Sequence, residues 1–438
     1  MITDEDSDAA VAAAHSVDVD RWRCGFNEVL DLIAPHFARH EPLRHAGALM
    51  LGLLSDLGRK NCWTIAERSG HCSPHGLQHL LSRAVWDADA VRDDLRRYVI
   101  DQLGDADAVL VLDETGDVKK GTRTVGVQRQ YTGTAGRIEN AQVAVYLAYA
   151  APKGHTLIDR RLYLPKGWAD DPDRRAVAGV PEQVEFATKP ELATKMSTEA
   201  LDAGTPARWA SGDEVYGADP ALRQALQDRH LGYVLGIGCN RTVTTAAGRL
   251  RADAVAATVP KRRWRRVSAG SGSKGERYYS WALVELTEAD PGEHHLLVRR
   301  NDKTGELAYY RCYSPHPVQL ADYVRVAGWR WKVEESFQSS KGLTGLDEHQ
   351  VRRWASWHRW VTLAMFAHAF LVVATAAQRA VENTARGMIP LTVNEFRRLF
   401  EALMLRPLHT IATVLDWSAW RRKHQAVARR CHYARRRE

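Results

Sequence analysis

The apolar run from Ala108 to Leu112, closed by Asp113, constrains this chain more than any other segment. Five apolar residues without polar alternation, followed by Glu114-Thr115-Gly116-Asp117, describe a short strand buried on both faces that stops at a polar turn. Asp113 is then expected at a strand end, where ligands gather in mixed α/β sheets. Two further acids stand in different settings. Asp213 follows Arg208-Trp209-Ala210-Ser211-Gly212, and Glu334 lies within the stretch from Trp329 to Lys341. The three are too far apart in sequence for one loop to hold them, so strand ends and a helix must bring them together. Carboxylates are hard oxygen ligands, and several converging on one point suit a pair of Mg2+ ions roughly 4 Å apart.

Helical geometry, at roughly 100° per residue, separates Glu334 from its neighbour Glu335. Trp329, Val333 and Phe337 form the expected buried stripe. Arg330, Lys341 and Glu334 lie at its edge, about 60 to 100° from Val333, whereas Glu335 lies about 200° round and is expected to face solvent. A metal-binding acid beside two cations suits phosphodiester chemistry. A solvated helix face laced with Glu-to-Lys pairs gives the same pattern. Because Glu114 follows Asp113 and Glu214 follows Asp213, either member of each pair could face a site, but a strand turns only one of them inward.

These residues lie in motifs that resemble the DDE-type transposases of bacterial insertion sequences. The most specific pieces are Leu112-Asp113-Glu114-Thr115-Gly116 followed by Lys119-Lys120-Gly121-Thr122, the stretch from Val125 to Tyr131, Gly212-Asp213-Glu214-Val215-Tyr216-Gly217, and Arg330-Trp331-Lys332-Val333-Glu334 with Phe337 and Lys341. The resemblance implies an RNase H-like domain with Asp113, Asp213 and Glu334 as catalytic triad and metal ligands. It also implies two Mg2+ ions, with Mn2+ able to substitute, that activate water and then a DNA 3′-hydroxyl. A subgroup carries a Tyr, Arg, Glu, Lys signature; Arg330, Glu334 and Lys341 fit its spacing, but its tyrosine position is Ala327 here and the nearest tyrosine is Tyr323. Implied partners are double-stranded DNA, as element ends and target, and a second copy of the chain on paired ends.

Composition agrees with a polyanionic partner only locally. The chain of 438 residues carries a formal net charge of +8, but residues 421–438 hold eight Lys and Arg against one acid, so the rest is nearly balanced. A DNA surface must therefore come from clusters. Candidates are Lys261-Arg262-Arg263-Trp264-Arg265-Arg266, where Trp264 could stack on a base, and Lys119, Lys120, Arg123 and Arg129 beside the proposed site. A charged, solvated hairpin edge would look like the first cluster too. Six scattered cysteines imply a reduced, intracellular chain; a zinc site from Cys62, His71, Cys72, His75 and His79 is weighed against a plain turn and helix. The apolar stretch from Val361 to Ala377 is expected to be a helix buried against the catalytic sheet, not a membrane span. Location is expected in the cytoplasm, with the nucleoid.

The expected fold class is α+β or α/β: an RNase H-like mixed sheet with flanking helices, an N-terminal all-α domain and a β-rich insertion before the last acid. Expected boundaries are a disordered leader over residues 1–17, helical DNA-binding candidate 18–103, first core part 104–238, insertion 239–318, second core part 319–390, and a helical segment with basic tail 391–438. Within the helical domain, Thr64 to Gly70 and a helix capped by Ser73 could form a helix-turn-helix presenting His75, Gln78, His79 and Arg83. A helical bundle that merely supports the core is the alternative. Rival functions are a stand-alone metal-dependent endonuclease and a domesticated DNA-binding regulator.

Overall fold

The computed structural model describes residues 17–272, 275–381, 389–405 and 411–435, so most of the expected leader and the last residues of the basic tail lie outside the described residues. Two compact units divide the chain. One joins residues up to Asp94 with those from Ser339 onward, and the other is Leu95–Gln338.

In chain order the helical unit begins with α1 (Val19–Ile33), α2 (His40–Leu54), α3 (Cys62–Arg68) and α4 (His75–Ser82), after which α5 (Ala88–Leu103) leads into the second unit. Asn61 caps α3 through a reciprocal box with Thr64, whereas α4 starts after Pro74 with no side-chain cap, so the expected Ser73 cap does not form. His75, Gln78, His79 and Arg83 are exposed as expected, while Leu77, Leu80 and Leu81 are buried.

The second unit is built on β1 (Val109–Val118), β2 (Gln128–Thr132), β3 (Arg137–Ala151) and β4 (Gly154–Leu162), then the short helices α6 (Lys166–Ala169) and α7 (Pro172–Ala178), α8 (Lys189–Asp202), β5 (Trp209–Gly212), the one-turn α9 (Glu214–Gly217), α10 (Pro220–Gln227) and β6 (Gly232–Ile237). Strand β3 pairs antiparallel with β1, β2 and β4, and β5 joins β1 and β6 in parallel. A meander followed by parallel strands entered through helices is the arrangement expected of an RNase H-like sheet. Val109 to Leu112 are fully buried, each side chain contributing about 1.5–3 kcal/mol relative to exposure.

The chain then makes the hairpin β7 (Thr242–Thr245) and β8 (Gly248–Arg251), α11 (Ala252–Ala257), and β9 (Arg265–Gly272), β10 (Gly275–Glu285), β11 (Glu293–Arg300) and β12 (Leu307–Ser314). The expected β-rich insertion is thus present, and it is not a separate sheet. Strand β12 pairs antiparallel with β6, so one sheet runs on through β11 and β10 to the edge strand β9. Ile237, Val255, Leu286, Leu296 and Val298 gather in a core beneath it. Helices α12 (Leu320–Trp329) and α13 (Trp331–Thr344) follow, and Gly328 of α12 packs so tightly on β9 that an added Cβ would lie 2.0 Å from the carbonyl oxygen of Ala269.

The chain ends with α14 (Trp354–Val381), α15 (Val393–Met404) and α16 (Ile411–Arg435) in the helical unit. Thr392 caps α15, its side chain accepting the Glu395 N–H. The apolar α14 is long enough to cross a membrane by length and composition, yet 83% of its most apolar window is buried. It packs among α1, α2, α4 and α15, with Phe370 against Phe26 and Phe400, and not in the sheet unit where the sequence reading placed it. An apolar run announces burial without naming the surface that covers it.

Candidate active site

Register alone brings the first two acids together. Strands β1 and β5 pair in parallel from Val109↔Trp209 to Leu112↔Gly212, so Asp113 and Asp213 are each the next residue on neighbouring strands. Adjacent strands lie about 4.8 Å apart. Strand β1 does not end at Asp113, as expected, because the long β3 carries its ladder on to Val118. The opening is made by β5, which stops at Gly212. Asp213 then caps α9, its Oδ1 accepting the N–H of Val215 at 2.8 Å. Gly217 closes that turn against β6, where an added Cβ would lie 1.9 Å from the carbonyl oxygen of Gly236.

Glu334 arrives on α13. Phe337, one turn further, meets Tyr146 edge-on at 5.4 Å, and Tyr146 is the cross-strand partner of Asp113. Directly paired residues share a sheet face, so this contact sets the start of α13 over the first acid. Arg330 joins the group: its Nη1 is 3.3 Å from Asp113 Oδ2 and 4.0 Å from Glu334 Oε1. Glu334 keeps 45% of its side-chain surface exposed, against 11% for Asp113.

Burial pushes the Asp113 carboxyl up to about 8; Arg330 opposes the rise, while Asp213, Glu114 and Glu334 add to it. Asp213 is also raised, by burial and by Glu114. The centre is therefore short of positive charge. Among the described residues no three of His, Cys, Asp or Glu stand at the spacing of a formed metal site. The donors themselves, all carboxylate oxygens crowded around one guanidinium, have the chemistry that a hard divalent cation takes.

Glu114 acts on both aspartates through its charge and has hydrogen-bond partners of its own. Lys189 Nζ donates to its Oε1 at 2.6 Å and the Tyr216 hydroxyl donates to its Oε2, whereas Asp113 meets Arg330. Glu214 is exposed beside the Asp213 cap. Lys189 and Tyr216 were not singled out by the sequence; Tyr216 lay in the Asp213 motif, where its spacing carried no sign of a partner.

Several sequence expectations need correction. Trp329 closes α12 and α13 starts at Trp331, so the stripe counted back from Val333 fails across Arg330; Trp329 is half-buried under Arg325. Glu335 does not face open solvent but pairs with His155 at 3.2 Å and Lys332 at 2.9 Å, and the His155 hydrogen bond holds its carboxyl down to about 2. Tyr323, the tyrosine nearest in sequence to the signature position, is buried against Trp209 and His295. Lys119 and Lys120 lie beyond the end of β1, about 20 Å along the strand from Asp113 at ~3.3 Å per residue, and Arg129 is exposed on β2. Lys261, Arg262 and Arg263 form an exposed turn leading into the edge strand β9. Trp264 packs on the insertion core with Arg300 over its ring at 4.5 Å, so that face is already taken. Lys341 sits in the last turn of α13, in the helical unit. Cys62, proposed for zinc, is pushed up to about 12 by burial, and the described cysteines are all free thiols.

A groove of about 1170 Å3 extends from Asp213 and Arg330 across the insertion sheet, with Arg277, Arg299, Lys303, Tyr279 and Trp331 in its lining. Arg299 lies over Tyr279 at 4.8 Å, and its Nε is buried without a hydrogen-bond partner. None of these was anticipated, because their convergence depends on β12 joining β6.

Residues 33–290 match the family described as DDE superfamily endonuclease, a span that includes Asp113 and Asp213 and ends before Glu334. A probable transposase for insertion sequence element IS701, from Microchaete diplosiphon, is 31% identical over 197 residues, which are 44% of this chain and 49% of that protein. The chain thus spans about half the length of this curated relative. A cryo-EM structure of piggyBac transposase in a synaptic complex with hairpin DNA aligns over 87% of this chain and 76% of that one, at 12% identity and a TM-score of 0.43, a likeness too slight to transfer any feature.

Proposed function

The chain belongs to the DDE superfamily of endonucleases, and from that premise we propose that it is the transposase of a bacterial insertion sequence, cutting the element's ends and joining them to target DNA. The observation that carries this reading is the β1–β5 register, which makes Asp113 and Asp213 neighbours, with Arg330 linking Asp113 to Glu334. Similarity to a probable insertion-sequence transposase supports it.

Superfamily members generally use divalent metals, and Asp113, Asp213 and Glu334 would hold two Mg2+ ions, or Mn2+ in their place. When bound, such ions activate the attacking hydroxyl and stabilise the leaving 3′-oxygen. Asp113 must give up its proton to serve as a ligand, and a cation replaces the stabilisation that burial removed. Glu114 stays out of that work because Lys189 and Tyr216 hold it. Arg330, exposed over 26% of its side chain, is placed to exchange a carboxylate for a phosphate oxygen as DNA enters.

In the first reaction water attacks a phosphodiester and frees a 3′-hydroxyl. In the second that hydroxyl attacks a target phosphodiester, forming a new P–O bond as the old one breaks. Sequence preference would come from the helical unit or the insertion groove, since phosphate contacts position DNA without reading it. Two chains acting on paired ends, within the nucleoid, complete the proposal.

The test is an assay of the full chain with Mg2+ and duplexes carrying the element's ends. Joined products support the transposase, cleavage without joining supports a stand-alone nuclease, and binding without either supports a regulator. Asp113→Asn is expected to bind DNA and to lose both reactions. Full activity in that variant would show that the centre is elsewhere.

A further inference from the structure

A second cavity, of about 420 Å3, opens beside the C-terminal end of α9, with Gly217 and Ala218 in its wall. Three arginines from distant parts of the chain line it: Arg223 on α10, Arg241 in the turn after β6, and Arg311 on β12. Arg223 spends one N–H on the carbonyl oxygen of Gly217 at 2.7 Å. Arg311 pairs with Glu288. Arg241 is exposed and its side chain has no hydrogen-bond or ion-pair partner among the described residues. Asp219 also acts on Arg223, and its Oδ1 already accepts the Leu222 N–H at 2.8 Å as the cap of α10. Burial and the nearby Arg311 lower the pKa of Arg223, and Glu288 and Asp219 oppose that fall.

We propose that this cavity binds a phosphate group. Guanidinium forks present several N–H donors in the geometry that phosphate oxygens accept, and Asn240 in the wall adds an amide. Glu288 offsets the charge of Arg311, and an anion that offsets the remaining guanidinium charge would be favoured in a half-buried place. The space suits one phosphate with its adjoining sugar and is too small for a duplex. Gly217 lies four residues after Asp213 on a single helical turn, about 6 Å along its axis. A backbone phosphate a short way along a strand held at Asp113 and Asp213 is therefore within reach; free phosphate has the same chemistry.

Two measurements on the full chain decide the matter. In the first, thermal unfolding is followed in rising inorganic phosphate at fixed ionic strength. Wild type should gain stability, and Arg223→Gln and Arg241→Ala should gain little. Because Arg223 also holds the Gly217 carbonyl, Arg241→Ala is the variant that leaves local packing alone. In the second, duplex affinity is measured across salt concentrations, and Arg241→Ala should flatten the slope of log K against log salt by about one. A flattened slope identifies the ligand as DNA backbone; stabilisation by phosphate with an unchanged slope identifies free phosphate. If neither responds, the cavity does not bind phosphate. The DNA arm rests on the transposase reading, whereas the phosphate arm needs neither cleavage nor joining, so failure of one is separable from failure of the other.

Discussion

Asp113 and Asp213 are placed by backbone hydrogen bonds, whereas Glu334 is placed by side chains. The first two each follow directly on the last matched pair of the β1–β5 ladder, Leu112↔Gly212, and Asp213 is further fixed as the cap of α9. The third rides on a helix whose position over the sheet depends on Phe337 against Tyr146 and on the His155, Glu335 and Ser336 contacts at its start. A ladder cannot slip by one residue without turning every side chain over, so the strand pair is rigid. A helix held by a few contacts can shift by fractions of an ångström, and Glu334 is also the most exposed of the three. The centre thus joins a fixed half to an adjustable one.

The largest effect should come from breaking the fixed half. Gly217→Ala puts a methyl group into the Gly236 carbonyl, and neither backbone can yield without moving the Asp213 turn. Overpacking of this kind costs about 1–3 kcal/mol. Displacing a reacting group by about 1 Å costs about 100-fold in rate. Loss of activity of that order, with a lower Tm and retained DNA binding, is expected; wild-type turnover in this variant would show that the Asp213 turn is not fixed as described.

Asp113 sharpens the comparison through pH. Its carboxyl is raised from 3.8 to about 8, so between those values the folded chain holds a proton that the unfolded chain has released. Stability from this group therefore falls as pH rises through that window, and the full cost is present above about 8. Asp113→Asn should be more stable than wild type at pH 8.5, by an amount on the order of a few kcal/mol, whereas at pH 4 the two should melt together. If Asp113 holds a metal as proposed, added Mg2+ should narrow the gap at high pH by stabilising the wild-type chain. A Tm difference that does not change with pH would mean that Asp113 is not held in this environment.

How far the sequence could reveal this arrangement follows the same division. The buried strand at 109–112 was legible because an unbroken apolar run has few other uses. What could not be read is what arises between elements. Neither the Leu112↔Gly212 register nor the β12–β6 pairing leaves a trace in residue spacing, and the second of these builds the groove. Strand β12, Leu-Ala-Tyr-Tyr-Arg-Cys-Tyr-Ser, mixes aromatic and charged residues without a clean period of two. Glu335 was misplaced for a related reason. An angular count tells which way a residue points along an ideal helix but not what stands there, and His155 on β4 stands there.

His155 offers the smallest test, aimed at the adjustable half. Its ring bonds Ser336 Oγ through Nδ1 at 2.8 Å and faces Glu335 through Nε2 at 3.2 Å, next to the residue that carries the third carboxylate. The Glu335 carboxyl is held down to about 2 from 4.5, chiefly by that His155 hydrogen bond, so its contribution is complete above 4.5 and is lost as pH falls toward 2. With about a third of the Glu335 side chain exposed, solvent reduces the gain to about 1 kcal/mol or less. His155→Ala should therefore lower Tm by about 2 °C or less at neutral pH, a deficit that shrinks as pH is taken below 4.5. It should also slow cleavage several-fold while leaving DNA affinity near wild type, since Glu334 would still be present but less well aimed. An unchanged cleavage rate with the Tm deficit intact would assign the contact to stability alone, and Glu334 would then owe its position to Phe337 and Arg330.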